Sequence, residues 1–201
     1  MKIVLLLSGG IDSSVLAYFL KAEDRGRFTT ELACLGINYG QAHIRELHSA
    51  AYIAAELGGT YECISSPPCF APNALTGGGN SVVVPARNLV FLSLAYAYAV
   101  SIGAEQVAIG VVKDDAARFP DCTERFMSSF YDTIGCALGD GRDGAVPLLR
   151  TPFIFKTKAE VVRIGRKFGV PFEKTWSCYG GDMEPCGKCS ACVDRAKALG
   201  S

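Results

Sequence analysis

The sequence lacks net charge and lacks long apolar runs. Lysine and arginine together number 20, as do aspartate and glutamate, so no overall basic field attracts a polyanion and we do not expect nucleic acid as the main partner. The apolar stretch at residues 3–7 is too short for a signal-peptide core or a membrane span. Residues 89–100, broken by Ser93, are typical of a buried helix. We therefore expect a cytoplasmic protein that does not enter a membrane.

An export signal is also lacking, which argues against a disulfide framework for the nine cysteines. Four of them have the spacing C-x7-C-x2-C-x2-C, and Gly187 lets the knuckle turn two thiolates toward one cation. Four soft ligands favour a tetrahedral structural zinc, and an iron–sulfur cluster is the alternative. The predicted ligands are Cys178, Cys186, Cys189 and Cys192. Cys34, Cys63 and Cys136 fall in strand or helix patterns, and Cys69 and Cys122 fall in loops.

Short apolar runs rich in β-forming residues alternate with longer helical patterns. Strands are predicted at residues 2–7, 31–37, 60–64, 106–112 and 146–149. Helices are predicted at residues 12–23, 44–57, 87–102, 123–138 and 157–168. The alternation predicts an α/β fold with a doubly wound, mostly parallel five-stranded sheet of Rossmann-like type, within a single domain over residues 1–201. The turn-rich stretch 65–85 is either a lid or a disordered excursion.

A glycine-rich loop follows the first predicted strand and opens the first predicted helix. It reads Ser8-Gly9-Gly10-Ile11-Asp12-Ser13-Ser14, so backbone N–H groups and the helix dipole converge on a point that suits a phosphate. The serine hydroxyls can add donors, and Asp12 can hold a magnesium ion. Neither the Walker pattern nor the dinucleotide-binding pattern is present. A tight strand-to-helix turn with an aspartate cap is the plainer interpretation.

This loop resembles the pyrophosphate loop of the N-type ATP pyrophosphatases, and further motifs narrow the likeness. They are Tyr39-Gly40-Gln41 followed by His43, residues 85–88, residues 119–122, Thr151-Pro152 with Lys158, and residues 175–179 leading into the cysteine knuckle. In this order they resemble the 7-cyano-7-deazaguanine synthase family over nearly the whole chain. The resemblance implies an adenine nucleotide alpha hydrolase-like fold with a C-terminal zinc-binding helical segment at residues 176–195.

The resemblance also implies an ATP-dependent ligase. Members of the family convert 7-carboxy-7-deazaguanine and ammonia to 7-cyano-7-deazaguanine, a precursor of queuosine and archaeosine, through adenylate and amide intermediates. ATP, ammonia and a 7-deazaguanine-type carboxylate are thus the expected partners, with zinc and magnesium as cofactors. The family's members are often dimers, so a homodimer is expected.

The motifs contain the expected site residues. Nucleotide binding is expected of Leu7, Ser8, Gly9, Gly10, Ile11, Asp12, Ser13, Ser14 and His43. Catalysis is expected of Asp12, Arg87 and Lys158, because each activation needs cations beside crowded anions. Substrate binding is expected of Asn88, Asp115 and Asp121, because a guanine-like face needs a carboxylate that accepts from its N–H donors. The plainer interpretation of these charged residues is a solvated turn or a helix start.

The expected substrate loop departs from the family pattern. Val112, Ala117, Arg118, Phe119 and Thr123 replace the family's Asn, Ser, Gly, Tyr and Arg. These changes leave nucleotide activation intact and open an alternative, in which a deazaguanine-like carboxylate is joined to another amine, including one on a protein. A transferase that sulfurates tRNA should carry a basic surface, which this sequence lacks. A non-catalytic zinc-ribbon binding module is a further alternative.

Overall fold

The computed structural model describes residues 1–23, 29–66, 70, 72–73, 75–76, 83–139, 145–180 and 184–200. The strands are β1 (Lys2–Leu6), β2 (Glu31–Asn38), β3 (Thr60–Ser65), β4 (Gln106–Ile109) and β5 (Leu148–Arg150). They form one parallel sheet in the order β3-β2-β1-β4-β5. From β1 the chain adds β2 and β3 on one side of the sheet, and then returns to the other side of β1 to add β4 and β5. This reversal of strand order next to β1 confirms the predicted doubly wound α/β fold.

The helices of the described part flank this sheet. They are α1 (Ile11–Ala22), α2 (Arg45–Glu56), α3 (Arg87–Ser101), α4 (Lys113–Ala116), α5 (Glu124–Leu138), α6 (Lys158–Lys167) and α7 (Ser190–Leu199), with 3-10 turns at Pro120–Cys122 and Phe172–Lys174. The long helices agree closely with the predicted ranges. No helix among the described residues is long and apolar enough to traverse a membrane. Cys69 and most of the predicted lid at 65–85 lie outside the described residues.

Alternate side chains of β1 pack on opposite faces of the sheet, as a strand's period of two requires. Leu5 is fully buried in a core that includes apolar residues of α1, α2 and α6. Its neighbour Leu6 belongs to a second core with residues of α3 and α5. Helices therefore cover both faces, and the loops after β1 and β4 lie side by side at the carboxyl edge of the sheet.

Strand β4 ends at Ile109, earlier than the predicted end at residue 112. The next residue, Gly110, crosses directly over the start of α1. A Cβ at Gly110 would lie 3.0 Å from the backbone nitrogen of Ser13 and 3.1 Å from the carbonyl oxygen of Asp12. Glycine permits this close crossing, which brings the loop after β4 beside the glycine-rich loop.

Candidate active site

A cavity of about 280 Å³ lies at the carboxyl ends of β1 and β4. Its walls come from the glycine-rich loop, the loop after β4, the starts of α3 and α6, and the segment before the cysteine cluster. The predicted site residues that line it are Leu7, Ser8, Gly10, Ile11, Asp12, Ser13, His43, Arg87, Asn88, Asp115 and Lys158. Gly9, Ser14 and Asp121 lie outside this lining. The fold thus brings most of the predicted residues to one place.

The glycine-rich loop is held in shape by its own serines. The Ser8 and Ser13 hydroxyl oxygens lie 3.0 Å apart, and the Gly10 N–H donates to Ser8 Oγ at 3.3 Å. Gly9 has a φ of +80°, and a Cβ there would collide with the carbonyl oxygen of Glu46 on α2. Glycine is therefore required at this position for both reasons. The loop presents its backbone and hydroxyls at the N-terminus of α1, where an anion is stabilised.

One charged contact in the cavity joins Asp12 and Lys158. Lys158 Nζ lies 3.2 Å from Asp12 Oδ2, and among the described residues Asp12 Oδ1 has no hydrogen-bond partner. Burial raises the pKa of Asp12, and the nearby Lys158 opposes that rise. Burial by itself would lower the pKa of Lys158, but the charge of Asp12 reverses this and the pKa is raised. The lysine is therefore held as a cation. The buried Asp12 Oδ1 beside it can still accept a hydrogen bond or a metal ion.

A second carboxylate, that of Asp115, lies in the same part of the cavity. Burial raises its pKa to about 6, although Lys158 and Arg87 act in the opposite direction. The neighbouring Asp114 has another role, because its Oδ2 accepts the Lys158 backbone N–H at 2.7 Å. That bond fixes the start of α6 against α4. Asp115 is thus a carboxylate in the cavity whose affinity for a proton is increased.

Arg87 lies at the first position of α3, after a left-handed residue, Ala86, with a φ of +59°. Its guanidinium carbon is 5.9 Å from the ring centroids of both Tyr39 and Phe91. Such stacking fixes the orientation of the planar guanidinium. The arrangement suits an anionic or planar ligand.

His43 is almost fully buried, with 4% of its surface exposed. Its Nε2 lies 3.1 Å from Glu46 Oε2, and Gln41 Nε2 donates to the other oxygen of the same carboxylate at 3.0 Å. The Tyr39 backbone N–H donates to Gln41 Oε1 at 2.8 Å, so Tyr39, Gln41 and His43 of the predicted motif form one connected network. Sequence reasoning missed Glu46, although its place one helical turn after His43 was a usable signal.

Asn88 and Asp121 contact each other. The Asn88 backbone N–H donates to Asp121 Oδ2 at 2.9 Å, and Asn88 Nδ2 donates to the Asp121 carbonyl oxygen at 3.1 Å and to Cys122 Sγ at 3.2 Å. The Cys122 thiol is buried, and this burial raises its pKa to about 12. These bonds attach the 3-10 turn at Pro120–Cys122 to the start of α3. Asp121 thus lies outside the cavity lining and holds Asn88, which is part of that lining.

Several cavity residues were missing from the predicted site. Phe119, Trp176, Ser177 and Tyr179 line the cavity with Glu46. Trp176 directly precedes the cysteine cluster in the sequence, and its indole Nε1 donates to the Cys178 carbonyl oxygen at 2.9 Å. The same residue also contacts the glycine-rich loop, because its backbone N–H donates to the Gly9 carbonyl oxygen at 2.9 Å.

The predicted cysteine ligands do converge. The Sγ atoms of Cys178, Cys186, Cys189 and Cys192 all lie within 4.8 Å of one another. Tetrahedral zinc with Zn–S bonds of about 2.3 Å separates its sulfurs by roughly 3.8 Å, so the set fits a single ion after small shifts. Gly187 has a φ of +70°, and backbone N–H groups of Lys188 and Cys189 lower the pKa of the Cys186 thiol to about 6. The four cysteines could therefore hold one metal ion.

One known protein family matches this chain over nearly its whole length. The family model described as queuosine biosynthesis protein QueC matches residues 2–201. The chain belongs to the QueC family. The match extends from the first strand through the cysteine cluster, so it includes every wall of the cavity.

Two relatives of the QueC family illustrate the likeness. A 7-cyano-7-deazaguanine synthase of Trichodesmium erythraeum is 36% identical, over 99% of this chain and 96% of that protein. A 7-cyano-7-deazaguanine synthase of Archaeoglobus fulgidus is also 36% identical, over 99% of this chain and 86% of that protein. These relatives support the family resemblance drawn from the motifs.

Solved structures extend the likeness to the fold. The U34-tRNA thiolase NcsA of Methanococcus maripaludis, which contains a [4Fe-4S] cluster, has a TM-score of 0.56 at 16% identity over 98% of this chain and 63% of that chain. The NMN synthetase of Francisella tularensis has a TM-score of 0.53 at 19% identity over 100% of this chain and 77% of that chain. The fold of this QueC-family chain is therefore of the adenine nucleotide alpha hydrolase-like type.

Proposed function

We propose that the protein is an ATP-dependent ligase that forms 7-cyano-7-deazaguanine from 7-carboxy-7-deazaguanine and ammonia. The observation that carries the proposal is the Asp12–Lys158 pair beside the glycine-rich loop, since it combines a metal-binding carboxylate with a fixed cation where a triphosphate would lie. Family membership and the names of the relatives support the same activity. Those names do not favour the alternative in which the acid is joined to another amine.

In this proposal the triphosphate lies along the N-terminus of α1. Backbone N–H groups and the Ser8 and Ser13 hydroxyls bind its β- and γ-phosphates. Asp12 would hold magnesium through the oxygen that has no partner, and the ion would supply neutralisation of phosphate charge. Lys158 and Arg87 stabilise the negative charge that develops at the α-phosphate. His43, kept in place by Glu46, contacts the nucleotide.

The chemistry uses two activations. In the first, a substrate carboxylate oxygen attacks the α-phosphorus of ATP and pyrophosphate leaves. Ammonia then attacks the acyl adenylate carbon, and AMP leaves as the nitrogen loses one proton and the amide forms. In the second, the amide oxygen attacks the α-phosphorus of a second ATP with loss of pyrophosphate, and departure of AMP with loss of both amide N–H protons gives the nitrile. The protein's contribution is charge stabilisation and positioning, because each leaving group is already good.

Recognition of the deazaguanine ring is assigned to the loop after β4. Asp115 accepts hydrogen bonds from the ring N–H and amine donors, and Phe119 supplies an apolar wall. Asn88 and Asp121 act together, because their mutual bonds hold this loop against α3. In this assignment the altered residues change the outline of the ring site and leave the phosphate site as it is.

The cysteine cluster is assigned to a structural zinc. Four thiolates leave no open coordination position, so zinc held there would stabilise the local fold and take no part in the reaction. A four-iron cluster requires its thiolates to surround a larger body, and the compact sulfurs here favour a single ion. Magnesium and zinc are thus assigned different residues, and the chain is proposed to act as a homodimer.

Analysis of the nucleotide products tests the proposed activation. Purified protein would be incubated with ATP, magnesium, ammonium and 7-carboxy-7-deazaguanine, and the nucleotides separated by chromatography. We expect AMP and pyrophosphate, and we expect Asp12→Asn to abolish both. Asp132→Asn, on the exposed side of α5, makes the same chemical change away from the cavity and serves as the matched control. Release of ADP and phosphate instead would contradict adenylation.

A further inference from the structure

Trp176 lies between the glycine-rich loop and the cysteine cluster and is bonded to both. Its backbone N–H donates to the Gly9 carbonyl oxygen at 2.9 Å. Its indole Nε1–H donates to the Cys178 carbonyl oxygen, also at 2.9 Å. Trp176 therefore connects the glycine-rich loop, which is expected to bind nucleotide, with the cysteine cluster, which is expected to bind metal.

The metal end of this connection is a cysteine of the cluster. Cys178 is buried, with 1% of its surface exposed. Its Sγ accepts the backbone N–H groups of Gly180 and Cys186, each at 3.3 Å. Coordination of that sulfur fixes the Cys178 main chain, and with it the carbonyl oxygen that holds the indole.

The loop end has little freedom to move independently. Gly9 adopts a positive φ and is packed against the backbone of α2, and the Gly10 Cβ position lies 3.7 Å from the Trp176 carbonyl oxygen. The Arg45 guanidinium carbon lies 5.4 Å from the centre of the indole ring, which adds a cation–π contact from α2. A displacement of Trp176 would therefore also move the backbone of the glycine-rich loop, which is proposed to bind phosphate.

We propose that Trp176 is a positioning residue that couples the four-cysteine metal site to ATP binding. The inference rests on the proposed function, in which ATP binds at the glycine-rich loop and a metal ion at the cysteines. Metal binding fixes Cys178, the indole follows, and the Gly9 carbonyl is held so that the adjoining N–H groups point at phosphate. Coupling between two binding sites is reciprocal, so nucleotide must also strengthen metal binding.

The experiment measures this coupling from both sides. Transfer of the metal to a competing coloured chelator would be measured at equilibrium with and without a non-hydrolysable ATP analogue and magnesium. The affinity for the analogue would be measured by calorimetry on metal-loaded and metal-stripped protein. In the unaltered protein we expect nucleotide to tighten metal binding against the chelator, and metal removal to weaken nucleotide binding, each by roughly threefold to tenfold, the range that about one hydrogen bond supports.

Trp176→Phe keeps an aromatic ring and the backbone N–H but loses the indole donor. With metal loaded, we expect it to bind nucleotide several-fold more weakly, to raise KM for ATP with little change in kcat, and to lose the nucleotide effect on metal transfer. Tyr52→Phe, on the exposed side of α2, removes one polar group from another aromatic residue and should behave as the unaltered protein does. A purely structural role for Trp176 would lower stability and leave the coupling in place.

The single tryptophan of the chain gives an independent readout. Its fluorescence should change on addition of nucleotide and again on metal removal, because the loop contacts the Trp176 backbone and the cysteine cluster contacts its indole. Nucleotide affinity and metal transfer that are independent of each other in the unaltered protein would overturn this inference and leave the proposed function standing. Failure of the metal-loaded protein to bind the analogue at all would overturn the proposed function, and the inference with it.

Discussion

Replacing Asp115 by asparagine should stabilise the protein in neutral solution and reduce its activity. The carboxyl group is partly buried beside Lys158, Arg87, Asp12 and Asp114, and its pKa is raised from 3.8 to about 6, chiefly by burial. The folded state therefore binds this proton more tightly than the unfolded state does. Asparagine keeps the shape of the side chain and carries no charge to desolvate.

The size of the expected gain in stability follows from the raised pKa of Asp115. A rise from 3.8 to about 6 corresponds to about 3 kcal/mol, because a tenfold change in an equilibrium is about 1.4 kcal/mol. Partial exposure reduces this, so we expect a gain of about 2 kcal/mol for Asp115→Asn above about pH 7. Stability that the aspartate confers when protonated is lost as pH rises through about 4 to 6. The difference in stability between the two proteins should therefore shrink as the pH falls toward 4.

Thermal unfolding between about pH 4 and pH 8, without nucleotide and magnesium, measures this difference. For a chain of this length about 2 kcal/mol raises Tm by roughly 4–8 °C at the higher pH. Asp132→Asn, the matched control on α5, should show no such pH-dependent gain. A gain for Asp115→Asn that is the same at both pH values, or a loss at about pH 8, would refute the assignment of a desolvated carboxylate.

Three other substitutions test the remaining parts of the site. Lys158→Met should lower kcat/KM for ATP by roughly 10²–10³-fold, since one preorganised charge at the reacting phosphate is removed; a decrease below tenfold in steady-state kinetics would contradict that role. Cys186→Ser should lower bound metal below one ion per chain by elemental analysis and lower Tm, and unchanged metal content would remove it as a ligand. Asn88→Ala should raise KM for the carboxylate more than KM for ATP. It should also lower the free energy of unfolding by about 1–2 kcal/mol in denaturant unfolding, because the turn at Pro120–Cys122 loses two hydrogen bonds from the Asn88 side chain. Equal rises in both KM values would argue against a role limited to the ring site.

The sheet and its helices could be predicted because their signals are local. Alternating β and α patterns and the order of motifs gave the strand number and the doubly wound arrangement, and the structure confirms both. The end of β4 was less accurate, because residues 110–112 are apolar yet leave the sheet. Their path depends on Gly110 passing over α1, a contact between segments distant in sequence.

The candidate site was predictable in membership more than in detail. Spacing identified Asp12 and the cysteines, because a loop at a strand end and a knuckle are short-range patterns, and the family resemblance added Lys158. Spacing did not show that Asp121 bonds to Asn88, a pair separated by 33 positions. Nor did it show that Trp176 reaches the Gly9 carbonyl. Such contacts depend on how the sheet assembles.

Mass spectrometry of the reaction product tests the central claim most directly. Purified protein, ATP, magnesium, ammonium and 7-carboxy-7-deazaguanine would be combined, and isotopically labelled ammonium would mark the nitrogen that is incorporated. The account predicts 7-cyano-7-deazaguanine carrying one labelled nitrogen, formed with release of AMP and pyrophosphate. An amide that accumulates without dehydration, or an untouched acid, would contradict it.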